Sequence, residues 1–328
     1  MSEILILNES EVRALLPMES CIAVMEDALK ALARGEVYNP LRQIIRTPVA
    51  AGLLGLMPAF RALPRPLFGL KEVCVFPGNP ARGLDTHLGA VLLHSGETGE
   101  LLGLMNASAI TEIRTAAVSA VATRLLANED AEVLAIVGAG VQASSHIAAM
   151  QHVRRIRELR IVSRTAGKAA ALASEFQSSF PKVVTAESVE ECLQGADIVV
   201  TATSSRDPVL RRSWLRAGTH INAVGSSIRA AREIDGATML ASRLFVDRRE
   251  STLNESGDFI SAMEEGLIGP DHIVAEIGEL LTGAAAGRRA KDEITLFKSL
   301  GLAIEDLAAA EFLYGEAAKS GLGTRVDF

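Results

Sequence analysis

An apolar run from Val133 through Leu134, Ala135 and Ile136 to Val137 leads directly into Gly138, Ala139, Gly140, Val141, Gln142 and Ala143, and the residues after it have helical composition. A run of this kind suits a strand buried on both faces. Glycines at 138 and 140 with alanine at 143 have the spacing of a strand-turn-helix dinucleotide motif. The first glycine permits the sharp turn, the second lets a pyrophosphate approach the backbone, and the small third residue lets helix pack on strand. Free N–H groups and the positive end of the helix dipole then hold the diphosphate. The spacing alone is a weak signal in a chain with 27 glycines. Its position after a buried-type strand is what predicts a nucleotide site.

Around this stretch the pattern alternates strand and helix. Strands are predicted over 133–137, 159–163, 182–185, 197–202, 220–224 and 244–246. Such alternation makes a parallel, doubly wound sheet, so the fold class is α/β with a Rossmann-type domain. After Val246 the chain is expected to leave the sheet, with a further short β-type run at 295–301 and an alanine-rich last helix over 302–319 that returns to the first domain. Ahead of the nucleotide fold, residues 9–34 read as one helix capped by Asn8 or Ser10. Short β-type runs at 43–47, 52–58, 67–76, 87–93 and 101–105, separated by Gly and Pro turns, predict a mostly antiparallel sheet. A helix over 110–127, with Thr111 as cap and Glu112 in its first turn, bridges the domains. The front domain is thus α+β, residues 1–120 plus the C-terminal helix at 303–328, and the Rossmann domain spans 121–302.

Several function classes drop out. A net charge of −7 removes the driving force for binding a phosphate backbone, which argues against nucleic acid. No apolar run is long enough for a membrane span, and no basic region precedes an apolar stretch at the N-terminus. Cys21, Cys74 and Cys192 are widely spaced and odd in number, which argues against a disulfide framework or structural zinc and fits a reducing cytoplasm. The histidines show no metal-ligand spacing, and no metal is expected.

Two groups of residues suggest chemistry. At the end of the second strand, where an acidic residue would hold an adenosine 2′-hydroxyl, the chain has Ser163, Arg164 and Thr165. Two hydroxyls and a guanidinium suit a 2′-phosphate, so NADP is favoured; with Arg164 as a solvated turn residue, NAD is possible. In the front domain Arg42, Lys71 and Arg114 lie in or beside apolar runs. Together they form a carboxylate clamp and imply an acidic substrate; singly, each would be a surface charge, and Lys71 could face solvent on an edge strand.

The stretches 56–59 (Leu-Met-Pro-Ala), 69–71 (Gly-Leu-Lys), 76–80 (Phe-Pro-Gly-Asn-Pro), 110–117, 137–143, 221–225 and 297–301 through Glu305 and Asp306 occur in order along nearly the whole chain. In these the sequence resembles the ornithine cyclodeaminase/μ-crystallin family. The resemblance implies a homodimer built on the front domain and C-terminal helix, and NAD(P) on the Rossmann domain. It implies Arg42, Lys71 and Arg114 on the substrate carboxylate, and Thr115 near the cofactor phosphates beside Gly138, Gly140, Val141 and Gln142. It also implies Asn222, Val224, Ser299 and Gly301 on the nicotinamide side.

Two departures from the ornithine cyclodeaminase pattern matter. Gly55 stands where those enzymes carry a Glu for the distal amine, and Ser227 where they carry an Asp for amine recognition and proton transfer. A hydroxyl cannot replace a carboxylate as general base at neutral pH. The resemblance therefore implies a reductase of imino or ketimine acids, of the Δ1-pyrroline-2-carboxylate or Δ1-piperideine-2-carboxylate type, or a related amino-acid dehydrogenase, with Lys71 and Arg114 catalytic and Ser227 lining the substrate. Two alternatives stay open: an ammonia lyase that keeps NAD bound, including an ectoine-catabolic variant, and a crystallin-like binding protein for NADPH and a small ligand.

Overall fold

The computed structural model describes residues 3–328, and of Pro80 the backbone alone. Met1 and Ser2, where the expected front domain begins, lie outside the described residues. The chain divides into two compact units, one running to Arg114 and resumed by Leu302–Phe328, the other Thr115–Gly301.

The first unit opens with β1 (Glu3–Leu7), α1 (Glu9–Leu15) and α2 (Met18–Ala33). The single helix expected over 9–34 is two. Pro17 lacks an N–H and disfavours helical geometry at Leu16, so α1 ends there and Pro17 becomes the N-cap of α2. Asn8 is the cap of α1: its side chain accepts from Glu11 N at 3.0 Å while the Glu11 carboxylate accepts from Asn8 N at 2.9 Å. Next come β2 (Val37–Tyr38), β3 (Gln43–Ile45), β4 (Leu53–Arg61), β5 (Leu67–Val75), β6 (His87–Ser95), β7 (Leu101–Asn106) and α3 (Ala107–Leu126). Helix α3 starts three residues before the expected position, because Asn106 rather than Thr111 caps it, accepting from Ala109 N at 2.9 Å.

The second unit follows with β8 (Val133–Val137), α4 (Val141–Met150), β9 (Glu158–Val162), α5 (Ala166–Glu175), β10 (Lys182–Thr185), α6 (Val189–Leu193), β11 (Ile198–Thr201) and β12 (His220–Ala223). It continues through α7 (Gly236–Ala241), β13 (Arg243–Val246), α8 (Arg249–Glu255), α9 (Gly257–Glu264), β14 (Ile273–Glu276), α10 (Ile277–Leu281) and β15 (Thr295–Lys298). The chain then re-enters the first unit as α11 (Ala303–Ser320) and β16 (Thr324–Asp327).

In the first unit the sheet order is β16-β1-β7-β6-β5-β4-β2, with β3 also on β4. It is antiparallel except for the β1–β7 pair. β1 and β16 were not expected from the sequence. β16 is exposed throughout and carries no apolar alternation, so only its pairing with β1 identifies it as a strand. Strand alternation gives the sheet two faces. One presents Met57, Ala59, Leu67, Val91, Leu93 and Met105, all buried. Helix α11 packs on this face, so closely that a Cβ on Gly69 would lie 2.9 Å from that of Leu307. On the opposite face Phe68, Leu88 and Leu104 remain 49%, 41% and 37% exposed.

In the second unit the order is β10-β9-β8-β11-β12-β15-β13-β14, with all pairings among the described residues parallel. The order reverses between β8 and β11, and ligands of open α/β sheets bind at the carboxyl ends of strands at such a switch point. The chain does not leave the sheet after Val246, as its sequence suggests. β14 extends the edge beyond β13, and β15 inserts between β12 and β13 as a fully buried strand. No helix among the described residues is long and apolar enough to cross a membrane.

Candidate active site

In the second unit, the turn after β8 is built as its glycines require. Gly138 has φ +125°, its N–H donates to Val162 O at 2.8 Å, and a Cβ there would lie 2.4 Å from Ala202 O. Gly140 is different. It has φ −101° and nothing within 4 Å of the place a Cβ would take. That open space lies at the start of α4, where no side chain caps the helix and the positive end of its dipole suits a diphosphate. Ala143 is fully buried, and Val141 and Gln142 open the helix. His146 braces it from behind. Its Nδ1 lies 2.6 Å from Gln142 O and its Nε2 2.9 Å from Ser119 Oγ, and burial holds its pKa down at about 4, so it is a neutral structural imidazole.

Beyond β9, Ser163 is half-buried, Arg164 and Thr165 are exposed, and no carboxylate occurs before α5 begins. Thr115 and Asn222 are buried, the latter donating from Nδ2 to Thr123 Oγ1 at 2.9 Å. Val224, Ser299 and Gly301 are buried on the segments that follow β12 and β15.

These two segments are held by charged groups that sequence reasoning did not select. The Asp247 carboxylate accepts from Leu300 N at 2.6 Å and Gly301 N at 2.7 Å, which turns the chain where Gly301 takes φ +79°. Glu233, fully buried, accepts from Thr201 Oγ1 at 2.8 Å and from Thr203 N, Thr203 Oγ1 and Gly225 N, each at 2.7 Å. Burial raises its pKa, against the pull of the nearby Lys298 ammonium. Lys298 in turn pairs with Asp258 at 3.0 Å and donates to Ser226 O at 2.5 Å. A signal was present for Lys298, a charge inside the apolar run of β15; Asp247, Glu233 and Asp258 sit in ordinary polar surroundings in sequence. Ser227 is half-buried on the loop this network shapes.

The first unit carries the basic residues. Lys71 is the central residue of β5, which lies between β4 and β6, so it is not an edge-strand lysine; it is 3% exposed. Arg114, 4% exposed, and Thr111 lie three residues apart on α3 and so share one helix face. Lys71 Nζ is 2.7 Å from Asp306 Oδ2 and 3.4 Å from Thr111 Oγ1. Arg114 pairs through Nε with Asp306 Oδ1 at 3.0 Å and through Nη1 with Glu305 Oε2 at 2.7 Å. The structure thus brings Lys71 and Arg114 together, and adds two carboxylates from the first turn of α11 that the clamp expectation had left out. Arg42 is half-buried before β3 and near enough to act on Lys71 electrostatically. Burial first, then the positive fields of Arg114 and Arg42, lower the Lys71 pKa to about 8 against the opposing effect of Asp306.

The ornithine cyclodeaminase/mu-crystallin family matches residues 2–321. The chain belongs to this family. Among its relatives, mouse ketimine reductase mu-crystallin is 40% identical over 296 residues, 89% of this chain and 90% of the mouse protein. A solved Δ1-pyrroline-2-carboxylate reductase from Thermococcus litoralis, in complex with NADH and L-proline, has a TM-score of 0.94 and 39% identity, covering 98% of this chain and 100% of that one. An archaeal alanine dehydrogenase dimer with bound NAD also has a TM-score of 0.94, with 32% identity and complete coverage of both chains. This family member is therefore an NAD(P)-dependent oxidoreductase by kinship.

The two glycines can be told apart. Gly138→Ala should destabilise the fold by about 1–3 kcal/mol or more, through overpacking and a disfavoured backbone, and lower Tm. Gly140→Ala should leave Tm near that of the parent but weaken NAD(P)H binding about tenfold, or 1.4 kcal/mol. Unchanged cofactor affinity in Gly140→Ala would remove Gly140 from the cradle.

Proposed function

We propose that this protein reduces cyclic imino acids of the Δ1-pyrroline-2-carboxylate or Δ1-piperideine-2-carboxylate type with NAD(P)H. The observation that carries this reading is the buried Lys71–Arg114 cluster. In it the carboxylates of Glu305 and Asp306 hold a buried ammonium and a buried guanidinium together, with Arg42 near enough to act on Lys71 electrostatically, a set of cations suited to a substrate carboxylate.

When bound, the reduced nicotinamide supplies a hydride to the carbon of the C=N bond; the chain supplies the rest. Arg114 and Arg42 hold the substrate carboxylate and so fix the plane of the imine, which must present its carbon about 3–3.5 Å from the donor. Lys71, its pKa lowered to about 8 by burial, gives its proton to the imine nitrogen. The product is the cyclic amino acid, and Lys71 recovers its proton from solvent. The kinship with imine reductases and an alanine dehydrogenase supports this chemistry. Cyclodeamination of a diamino acid is disfavoured, because neither Gly55 nor Ser227 has a carboxylate to offer a distal amine. The three free thiols, Cys21, Cys74 and Cys192, support a reducing, cytoplasmic setting.

NADPH oxidation measured over a panel of cyclic imines, 2-oxo acids with ammonia or methylamine, and L-ornithine should show turnover on the imines and little proline or ammonium from ornithine. Lys71→Met should lower kcat by about 100-fold, the scale of a general acid, while Arg114→Lys should raise KM more than it lowers kcat. A kcat/KM in Lys71→Met within about twofold of the parent would refute the proton-donor role.

The Ser163-Arg164-Thr165 turn supports NADPH over NADH. Fluorescence-quenching titrations should show tighter binding of NADPH, and Arg164→Ala should cut that preference about tenfold or more by removing a charge-assisted contact. Equal affinities in the parent protein would refute it.

A homodimer is supported by the exposed apolar sheet face around Phe68, Leu88 and Leu104, which a second copy would cover. Light scattering should give twice the chain mass, and Phe68→Glu should shift the protein towards monomer. A parent protein that stays monomeric at micromolar concentration would refute the assignment.

A further inference from the structure

We infer that Asp306 is a positioning residue for the reductase chemistry proposed above, its single carboxylate orienting the Lys71 ammonium and the Arg114 guanidinium towards one substrate. The inference rests on that functional reading and adds to it a residue outside the cationic clamp.

Three independent features of the first unit carry it. The first is geometry: the two oxygens of Asp306 divide between the two cations, Oδ2 to Lys71 Nζ at 2.7 Å and Oδ1 to Arg114 Nε at 3.0 Å, while Asp306 is only 1% exposed. Neither cation can turn without breaking a buried, charge-assisted contact. The second is the placement of the carboxylate. Asp306 lies in the first turn of α11, where the helix dipole favours negative charge, and that turn is pinned by Ile304 N donating to Asn39 Oδ1 at 2.8 Å. The third is the division of labour with its neighbour. Glu305 reaches Arg114 Nη1 at 2.7 Å, whereas the carboxylate 2.7 Å from Lys71 Nζ is that of Asp306.

The groups facing Lys71 are Asp306 on α11, Arg114 and the uncharged Thr111 on α3, Arg42 before β3, and His87 on β6. Among these, Asp306 is the anion, opposing burial and two guanidinium charges that drive Lys71 towards the neutral amine. Removing its charge lowers the Lys71 pKa, so activity that requires protonated Lys71 is lost at a lower pH. In the step itself a proton passes from Lys71 Nζ to the imine nitrogen as the carbon accepts the hydride. Asp306 neither gains nor loses a proton, and it keeps the resulting amine in place by accepting its N–H.

The test uses the full chain. Lysine 15N NMR, with the Lys71 signal assigned by its loss in Lys71→Met, reads the titration directly and needs no turnover. In the parent protein Lys71 should titrate near 8; a midpoint above 10, the ordinary lysine range, overturns the inference. Asp306→Asn should lower that midpoint by about 1–3 pH units and move the alkaline limb of kcat down with it, whereas Glu305→Gln should raise KM with the limb in place. A shift of less than about 0.3 unit in Asp306→Asn overturns the inference. Should Asp306→Asn fail to fold, Asp306→Glu serves: it keeps the charge and displaces it, so the limb should stay while kcat falls, and unchanged kcat overturns the inference. A parent protein that shows the expected Lys71 titration but reduces no imine refutes the functional reading separately.

Discussion

One carboxylate shared between two buried cations is the constraint on which the first unit depends. Taking charges out of water costs several kcal/mol per ion, and a buried pair of this kind is poor value as a stabiliser compared with apolar packing. The Lys71–Asp306–Arg114–Glu305 group is therefore poorly explained by stability alone, in keeping with the binding role proposed for it. To form it, three elements distant in sequence must meet: the middle of β5, the start of α3 and the first turn of α11. The surrounding packing permits this. Gly69, two residues before Lys71 on the same face, admits the Cβ of Leu307, the residue after Asp306.

The second unit solves a similar problem with a different set of charges. The segments that follow β12 and β15 have little regular structure, and side-chain carboxylates add to their backbone hydrogen bonds. Glu233 accepts from Gly225 N, Asp247 accepts from Leu300 N and Gly301 N, and Asp258 with Lys298 ties the loop to the sheet. Among them these side chains satisfy buried donors that would otherwise each cost a hydrogen bond. The result is a hydrogen-bonded rim at the carboxyl ends of parallel strands, where α/β folds bind nucleotides.

Much of this was legible in the chain. Strand β8 and the turn after it were readable to the residue, since an apolar run closed by Gly138 and Gly140 has few other structures open to it. The alternation that makes the parallel sheet was equally clear. Elements without a periodic pattern were not. β14 is short, β16 is exposed throughout, and β15 gave no hint that it belongs between β12 and β13. The break at Pro17 was available in principle, because proline's missing N–H and its effect on Leu16 are local; the strong apolar periodicity on both sides masked it. At the site, Lys71 and Arg114 stood out as charges in apolar surroundings, whereas Asp306 and Glu305 read as ordinary first-turn acids of a helix.

By itself, then, the sequence determined the class of fold, the nucleotide turn, the cations available to an acidic ligand and the absence of carboxylates at positions 55 and 227. Each of these is a local property, set by residue type and short spacing. The tertiary structure decided which charges are neighbours. Lys71 and Asp306 are separated by most of the chain yet lie 2.7 Å apart, and a partner at that distance determines whether a buried ammonium keeps its proton. Sequence order carries no information about such a contact, because the field at a buried charge depends on distance in space and on the water excluded around it.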